Sequence, residues 1–129
     1  MIVDTSALIS ILFREADAPR FTVALGAASN PVISAVTLVE TTIVSEGRST
    51  PQMVGQLEAL LHDAGVEIVP VTAEQARIAQ DGWRRYGKGR HPAGLNFGDC
   101  FAYALAKSRD EPLLFKGDDF AQTDVKAAI

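Results

Sequence analysis

The chain has 129 residues, of which 47% are hydrophobic, and a formal net charge of −4. This length and apolar content suit one domain with a real core, over residues 1–129, and exclude a disordered or collagen-like chain. The negative charge argues against coating nucleic acid through bulk electrostatics, so a role on nucleic acid requires a local basic patch or bound metal. We find no membrane-length apolar run and no basic leader, and we expect a cytoplasmic protein.

Hydrophobic periodicity predicts strands that alternate with helices along the whole chain. Such alternation is typical of an α/β sandwich with a mostly parallel sheet. The predicted elements, in chain order, are a strand at 1–3, helices at 7–13 and 18–28, a strand at 32–33, helices at 35–46 and 51–64, a strand at 66–71, a helix from the Thr72 cap to 86, a loop at 87–96, a helix at 97–107, a strand at 112–115 and a short helical turn after Asp118.

Several acidic residues stand at the predicted ends of strands. Asp4 follows the first strand, and Asp118 and Asp119 follow the last one. In parallel α/β sheets the binding crevice lies outside the carboxyl ends of the strands, which places these acids at its edge. Asp4 could also act as a helix cap, and the adjacent aspartates could form a solvated turn.

Two further acids lie on predicted helices. Glu40 shares one helical side with apolar residues that include Val36, Val39 and Ile43, and burying a carboxylate there is costly unless it is paired or near metal. The alternative is a glutamate at the edge of the stripe that reaches solvent. Asp99 lies in the first turn of a helix that is apolar nearly all round, where the helix dipole alone could explain an acid.

Four carboxylates in one crevice would repel one another unless cations neutralised them. Hard oxygen ligands select Mg²⁺ or Mn²⁺ over zinc, and Cys100, the only cysteine, has too few histidines around it for a zinc site. Bound Mg²⁺ or Mn²⁺ can activate a water and stabilise the leaving oxygen of a phosphodiester. The pattern therefore predicts metal-assisted phosphodiester hydrolysis.

Four segments carry a resemblance to a known family. They are M-I-V-D-T-S-A-L at the start, V-T-L-V-E up to Glu40, G-K-G-R-H-P-A-G-L-N-F-G-D-C up to Cys100, and L-L-F-K-G-D-D-F up to Phe120. In this order and spacing, over nearly the whole chain, they resemble the PIN-domain ribonucleases, and most closely the VapC toxins of bacterial toxin–antitoxin pairs. The resemblance implies a three-layer α/β/α sandwich with a short, mostly parallel sheet.

The resemblance also implies a set of catalytic, metal-binding acids. Asp4, Glu40 and Asp99 match the three core acids of the family, and Asp119 matches the fourth, with Asp118 as a possible substitute. Family members bind Mg²⁺ or Mn²⁺. Asp4 and Asp99 would be the direct ligands, while Glu40 and Asp119 would act through water or on a second ion.

The remaining implications concern support and biology. Ser6 and Asn96 match polar positions that orient carboxylates or the substrate phosphate. VapC-like toxins cut structured RNA such as tRNA or ribosomal RNA, a cognate VapB-like antitoxin blocks them, and homodimers are usual. We therefore expect an endoribonuclease toxin with RNA, antitoxin and a second copy as its partners.

One dense basic segment precedes Asp99, with Trp83 and Tyr86 interleaved. Basic groups for phosphates and aromatic faces for unstacked bases suit single-stranded RNA. The alternative is a solvated helix end whose aromatic residues pack on the core, and His91 is a loop residue or phosphate contact rather than a general base. The predicted substrate-binding residues are Arg84, Arg85, Lys88, Arg90 and His91.

Other functions fit less well. A haloacid-dehalogenase-like phosphatase needs a second aspartate where Ser6 stands, and a receiver domain needs an acid pair near the first strand. A non-cleaving PIN-like module that binds RNA or a partner is the remaining alternative, although every acid position is retained. Apolar residues of the 51–64 helix could form either core or a groove for antitoxin or dimer, namely Val54, Leu57, Leu60 and Leu61.

Overall fold

The computed structural model describes residues 1–48, 53 and 55–129. Within them a four-stranded sheet has the order β3-β2-β1-β4, and every pairing in it is parallel. The first strand is therefore central, and its carboxyl end points to the same edge as those of its neighbours. The strands are β1 (Ile2–Val3), β2 (Val32–Ser34), β3 (Glu67–Val69) and β4 (Leu113–Leu114).

Helices cover both faces of this sheet. Successive strand residues point to opposite faces, so each strand contributes apolar side chains to the core on both sides. Ile2 and Val32 belong to the core cluster of the α5–α6 side, whereas Val3 and Ile33 belong to the core on the other side. The α/β/α sandwich with a parallel sheet is confirmed. Its helices are α1 (Thr5–Leu12), α2 (Ala18–Ala27), α3 (Ala35–Gly47), α4 (Gln56–Asp63), α5 (Ala73–Tyr86) and α6 (Phe97–Arg109), and a 3-10 helix follows at Phe120–Gln122.

The element boundaries differ from the predicted ones mainly at strand ends. The third strand ends at Val69 and the fourth at Leu114, both earlier than the apolar runs suggested. The predicted start of the fourth long helix, at Thr50 and Pro51, lies outside the described residues. Helix α4 itself begins at Gln56.

The apolar residues of α4 belong to the core. Leu57 and Leu61 are buried beside α1 and α2 residues, and Leu60 packs against the same cluster. Val54 lies outside the described residues. Of the two alternatives for this helix, the three described leucines therefore support core packing.

The buried side of α3 is not the predicted one. Val39 and Ile43 are 56% and 67% exposed, while Thr37, Thr41 and Ser45 are buried. The expectation that Glu40 shares a buried apolar stripe was wrong, because small hydroxyl residues at four-residue spacing permit the close approach of α1. The Thr41 and Ser45 hydroxyls donate to backbone carbonyl oxygens of their own helix at 2.8 and 3.2 Å, whereas Thr37 Oγ1 has no hydrogen-bond partner among the described residues.

Among the described residues, no helix is both long and apolar enough to cross a membrane.

Candidate active site

Asp4 stands where β1 ends and α1 begins, and its carboxylate is buried. Its Oδ2 accepts hydrogen bonds from the Ser6 backbone N–H at 2.8 Å and from the Ser6 hydroxyl at 2.6 Å, so Asp4 does cap α1. Burial raises the pKa of Asp4 to about 6, against the opposing effect of the Ser6 bonds, and the Glu40 charge adds to the rise. The other oxygen, Oδ1, is buried and has no hydrogen-bond partner among the described residues.

Glu40 projects from α3 toward both Asp4 and α6. The Thr5 hydroxyl donates to its Oε2 at 2.7 Å, which ties Glu40 to the residue directly after Asp4. On the other side the carboxylate lies against the backbone of Gly98, where a Cβ would collide with it. Glu40 therefore occupies the space between the first turns of α1 and α6.

Asp99 lies in the first turn of α6, where it forms a reciprocal capping box with Asn96. Its backbone N–H donates to Asn96 Oδ1 at 2.9 Å, and its Oδ2 accepts from the Asn96 N–H at 2.8 Å. Burial, together with the charges of Asp4, Glu40 and Asp119, raises the pKa of Asp99 to about 7, against the opposing effect of the Asn96 hydrogen bond. Asp99 therefore caps α6 and also lies near the other acids.

The loop after β4 supplies the fourth acid. Asp119 precedes the 3-10 helix, is exposed, and is close enough to raise the pKa of Asp99. Asp118 is also exposed, and its charge is not one of the main causes of the raised pKa of Asp99. The structure therefore brings Asp119 toward the other acids.

Ser6 joins the two ends of the chain at this site. Its hydroxyl, which donates to Asp4, accepts a hydrogen bond from the Lys116 backbone N–H at 2.9 Å. The loop that leads to Asp119 is thereby fixed to the first turn of α1. Ser6 was predicted to orient a carboxylate, and its contacts are of that kind.

The donor set fits a hard divalent cation, although the described residues contain no group of three acidic, histidine or cysteine side chains in metal-binding geometry. Asp4 and Glu40 each direct an oxygen to a hydroxyl donor, and Asp99 directs one to a backbone N–H. The partnerless Oδ1 of Asp4 is costly in a buried place unless a cation or proton meets it. Carboxylate oxygens alone favour Mg²⁺ or Mn²⁺ over zinc.

A family model described as PIN domain matches residues 1–126 of this chain. The chain belongs to the PIN-domain family.

Within the PIN-domain family, the similar curated proteins are VapC ribonucleases. The chain is 48% identical to Ribonuclease VapC30 of Mycobacterium tuberculosis over 125 residues, covering 97% of this chain and 95% of that protein. It is 50% identical to Ribonuclease VapC of Mycolicibacterium smegmatis over 129 residues, covering 98% of each. These values place the chain among the VapC-type PIN-domain ribonucleases.

Solved structures give the same PIN fold. Mycobacterium tuberculosis VapC20, described as a Sarcin-Ricin loop cleaving toxin, matches with a TM-score of 0.78 at 17% identity, over 96% of this chain and 95% of that one. A toxin–antitoxin complex from Klebsiella pneumoniae matches with a TM-score of 0.68 at 20% identity, over 95% and 92% of the two chains. At these identities the likeness concerns the fold.

The basic segment of this PIN domain does not form one patch. Arg85 donates to the Tyr86 hydroxyl and pairs with Asp124, whereas Arg84 and Lys88 line a cleft between α5 and α6. Arg90 lies over the Trp83 ring, 4.2 Å from its centroid.

His91 has a structural role in its loop. Its Nδ1 accepts from the Ala93 N–H at 3.1 Å, and its ring packs edge-on against Tyr86. Tyr86 in turn packs on the core. For Tyr86, this agrees with the alternative in which the aromatic residues of the basic segment pack on the core and do not stack on RNA bases. Of the basic segment, Arg84 and Lys88 therefore line the same cleft as Asn96, and their side chains form no ion pair or hydrogen bond within the described part of the chain.

Sequence reasoning missed two residues that position the acids, Thr5 and Gly98. Thr5 is adjacent to Asp4 and holds Glu40, and Gly98 is adjacent to Asp99 and leaves room for the same carboxylate. A glycine inside the first turn of a helix was the available signal, because glycine weakens helices and needs a packing reason there.

Proposed function

We propose that this chain is the toxin of a toxin–antitoxin pair and cuts RNA as a Mg²⁺-dependent endoribonuclease, with Mn²⁺ as an alternative ion. The observation that carries the proposal is the convergence of Asp4, Glu40, Asp99 and Asp119, from four separate parts of the chain, into one electrostatically coupled group. Such a group is unfavourable by itself, which makes an external cation its natural partner.

The residues have distinct tasks in this proposal. Asp4 and Asp99 bind the cation directly, while Glu40 and Asp119 act through water or on a second ion. When bound, Mg²⁺ supplies charge neutralisation at the phosphate and activation of a water for hydrolysis. Ser6 keeps Asp4 in place through its two hydrogen bonds, and Asn96 does the same for Asp99.

The partners follow from the relatives. VapC20 is described as cleaving the Sarcin-Ricin loop, and the Klebsiella neighbour was solved as a toxin–antitoxin complex. We extend these properties to this chain as structured RNA, such as tRNA or ribosomal RNA, for its substrate and a VapB-like antitoxin for its inhibitor. We further propose a single domain that acts in the cytoplasm, as a homodimer when free and in a hetero-oligomer with antitoxin.

The test is cleavage of total cellular RNA by the purified chain with Mg²⁺ or Mn²⁺, with and without EDTA. Discrete fragments should form with metal and vanish with chelator. Asp99→Asn should reduce the cleavage rate by about 100-fold or more, because the transition-state charge loses several kcal/mol of stabilisation. Asp63→Asn, an exposed acid on α4, is the charge-matched control and should cleave normally.

The alternative of a PIN-like module that binds RNA without cutting it predicts a different outcome in the same experiment. A module that only binds RNA leaves the RNA intact under every metal condition while still shifting its electrophoretic mobility. Identical fragments from the wild type and Asp99→Asn would show instead that a contaminant or another site cuts the RNA.

A further inference from the structure

A cleft of about 650 Å³ opens between α5 and α6 beside the candidate acids. Its walls include Trp83 from α5 and the pair Phe97 and Phe101 from α6, with Arg84 and Lys88 among its lining residues. We propose that this cleft binds one unstacked base of the RNA, next to the bond that is cut. The inference rests on the proposed function, since it assigns a subsite to that substrate.

The aromatic walls are preformed. The Trp83 indole is held against Gly87, where a Cβ would collide with the ring, and the Arg90 guanidinium covers it at 4.2 Å from the centroid. Phe97 is 76% exposed and meets Phe101 edge to face at 5.0 Å between centroids. Exposed aromatic faces of this kind form a stacking platform for a nucleobase.

The cations suit the backbone of the same nucleotide. Arg84 and Lys88 are exposed, and neither side chain makes an ion pair or a hydrogen bond within the described part of the chain. Arg85, in contrast, is engaged by Asp124, Tyr103 and Tyr86. The two free cations therefore remain available for phosphates that flank a base in the cleft.

The position of the cleft connects it to the acids. Asn96 lines the cleft, and its backbone N–H and side-chain oxygen both bond to Asp99. A nucleotide seated between Trp83 and Phe97 thus has its phosphate backbone beside the first turn of α6. Binding in the cleft would place the adjoining phosphodiester at the acidic group.

A second cleft of about 510 Å³, between α3 and α6, is the less suitable place for a nucleotide. Its lining combines apolar residues such as Val39 and Ile43 with the carboxylate of Glu40, and it includes no lysine or arginine. A phosphate there would meet negative charge without a compensating cation. The charges favour the α5–α6 cleft.

Trp83 is the only tryptophan, so the cleft carries its own fluorescent probe. Full-length Asp99→Asn protein with Mg²⁺ keeps RNA intact, and it is titrated with a single-stranded oligoribonucleotide. We expect saturable quenching of Trp83 fluorescence, and a matched abasic oligoribonucleotide should quench far less. Adding Phe97→Ala should weaken RNA binding about tenfold. Phe97 lines both clefts, so the control is Ile43→Ala, an exposed apolar residue of the other cleft alone, which should change RNA binding by less than about twofold.

Two results would overturn the inference. RNA that binds without changing Trp83 fluorescence, or equal affinities of the Phe97→Ala and Ile43→Ala proteins, would assign the cleft to something other than a base, such as an apolar segment of a protein partner. Cleavage by the otherwise wild-type chain is measured in parallel. A chain that cuts RNA without quenching refutes only the cleft, and one that quenches without cutting refutes only the ribonuclease.

Discussion

The acidic residues of this molecule lie in two kinds of surroundings, which differ in what neutralises the carboxylate. Asp124 contacts Arg85, Lys107 and the Tyr103 hydroxyl, and these partners hold its pKa below the usual range despite partial burial. Asp4 is buried near another carboxylate and has a raised pKa.

Asp17 repeats the first pattern, with Ser10 and Lys116 as the partners that lower its pKa. Asp4, Glu40, Asp99 and Asp119 form no ion pair with a lysine or arginine of the described residues, whereas Asp124 and Asp17 do. This difference supports the proposal that the four site acids bind a cation from outside, while acids that are paired as Asp124 and Asp17 are belong to the architecture.

The largest expected effect comes from removing the space that Glu40 occupies. Gly98→Ala puts a methyl group where the Glu40 carboxylate lies, so the carboxylate must shift from its position beside Thr5. We expect RNA cleavage to fall about 100-fold, the scale of losing one positioned charge in a catalytic site. Gly26→Ala on α2, where a Cβ meets nothing within 4 Å, is the control and should retain full activity.

The second prediction separates the adjacent aspartates. Asp119→Asn should lower cleavage about tenfold, because a second-tier carboxylate typically contributes a factor of 10 to 100. Asp118→Asn should stay near the wild-type rate, since the charge of Asp118 is not one of the main causes of the raised pKa of Asp99. Initial rates at saturating Mg²⁺ measure both, and a larger loss for Asp118→Asn would reverse the assignment.

The third prediction concerns the free energy of unfolding, which should change in opposite directions when Asp4 and Asp124 are replaced. Without metal, Asp4→Asn should raise the free energy of unfolding by about 1 to 2 kcal/mol, because it removes a buried charge whose ionisation is disfavoured. Asp124→Asn should lower it by up to about 1 kcal/mol through loss of its partly exposed ion pairs. Urea unfolding in EDTA measures both changes.

The smallest effect is a dependence on pH. The folded-state pKa of Asp4 is raised to about 6 from 3.8, so the folded protein takes up its proton first and stability falls as pH rises through this window. In EDTA, acidifying from about pH 7.5 to about pH 5.5 should stabilise the wild type by about 1 kcal/mol through Asp4, and Asp99, whose pKa is raised to about 7, adds to this in the same direction. Asp17 and Asp124 have lowered pKa values and stay ionised across this range.

Saturating Mg²⁺ is the control for the pH prediction. Mg²⁺ should stabilise the protein most at the higher pH, where Asp4 has lost its proton and the cation can neutralise the carboxylate. An Asp4→Asn protein whose stability changes with pH as much as the wild type's would contradict the link to Asp4.

Much of this arrangement could be predicted from the sequence because it depends on local order. Asp4 follows an apolar strand, Asp99 begins an apolar helix, and strand ends of a parallel sheet share one edge. The α3 helix could not be predicted in the same way. Apolar periodicity indicated Val39 and Ile43 as its buried side, whereas close packing against α1 selected the small hydroxyl residues.

The signal for the correct side of α3 was present in Thr37, Thr41 and Ser45, which recur every four residues. Small side chains let two helices approach closely, and the Thr41 and Ser45 hydroxyls bond to backbone carbonyls of their own helix. The orientation of Glu40 depends on this approach, since Thr5 reaches it only across the α1–α3 contact. The apolar periodicity of a single helix does not predict packing of this kind, because the packing depends on the side chains of both helices.

The hydrogen bond from Lys116 to Ser6 has a consequence for synthesis of the protein. The acids at the two ends of the site are more than a hundred positions apart in the chain, and β1 has β4 as one of its two neighbours in the sheet. A growing polypeptide that has not yet produced β4 lacks both that neighbour and Asp119. We therefore expect hydrolysis of RNA only after translation has passed β4 and Asp119, so that shorter nascent chains pose no threat to the RNA of the ribosome making them.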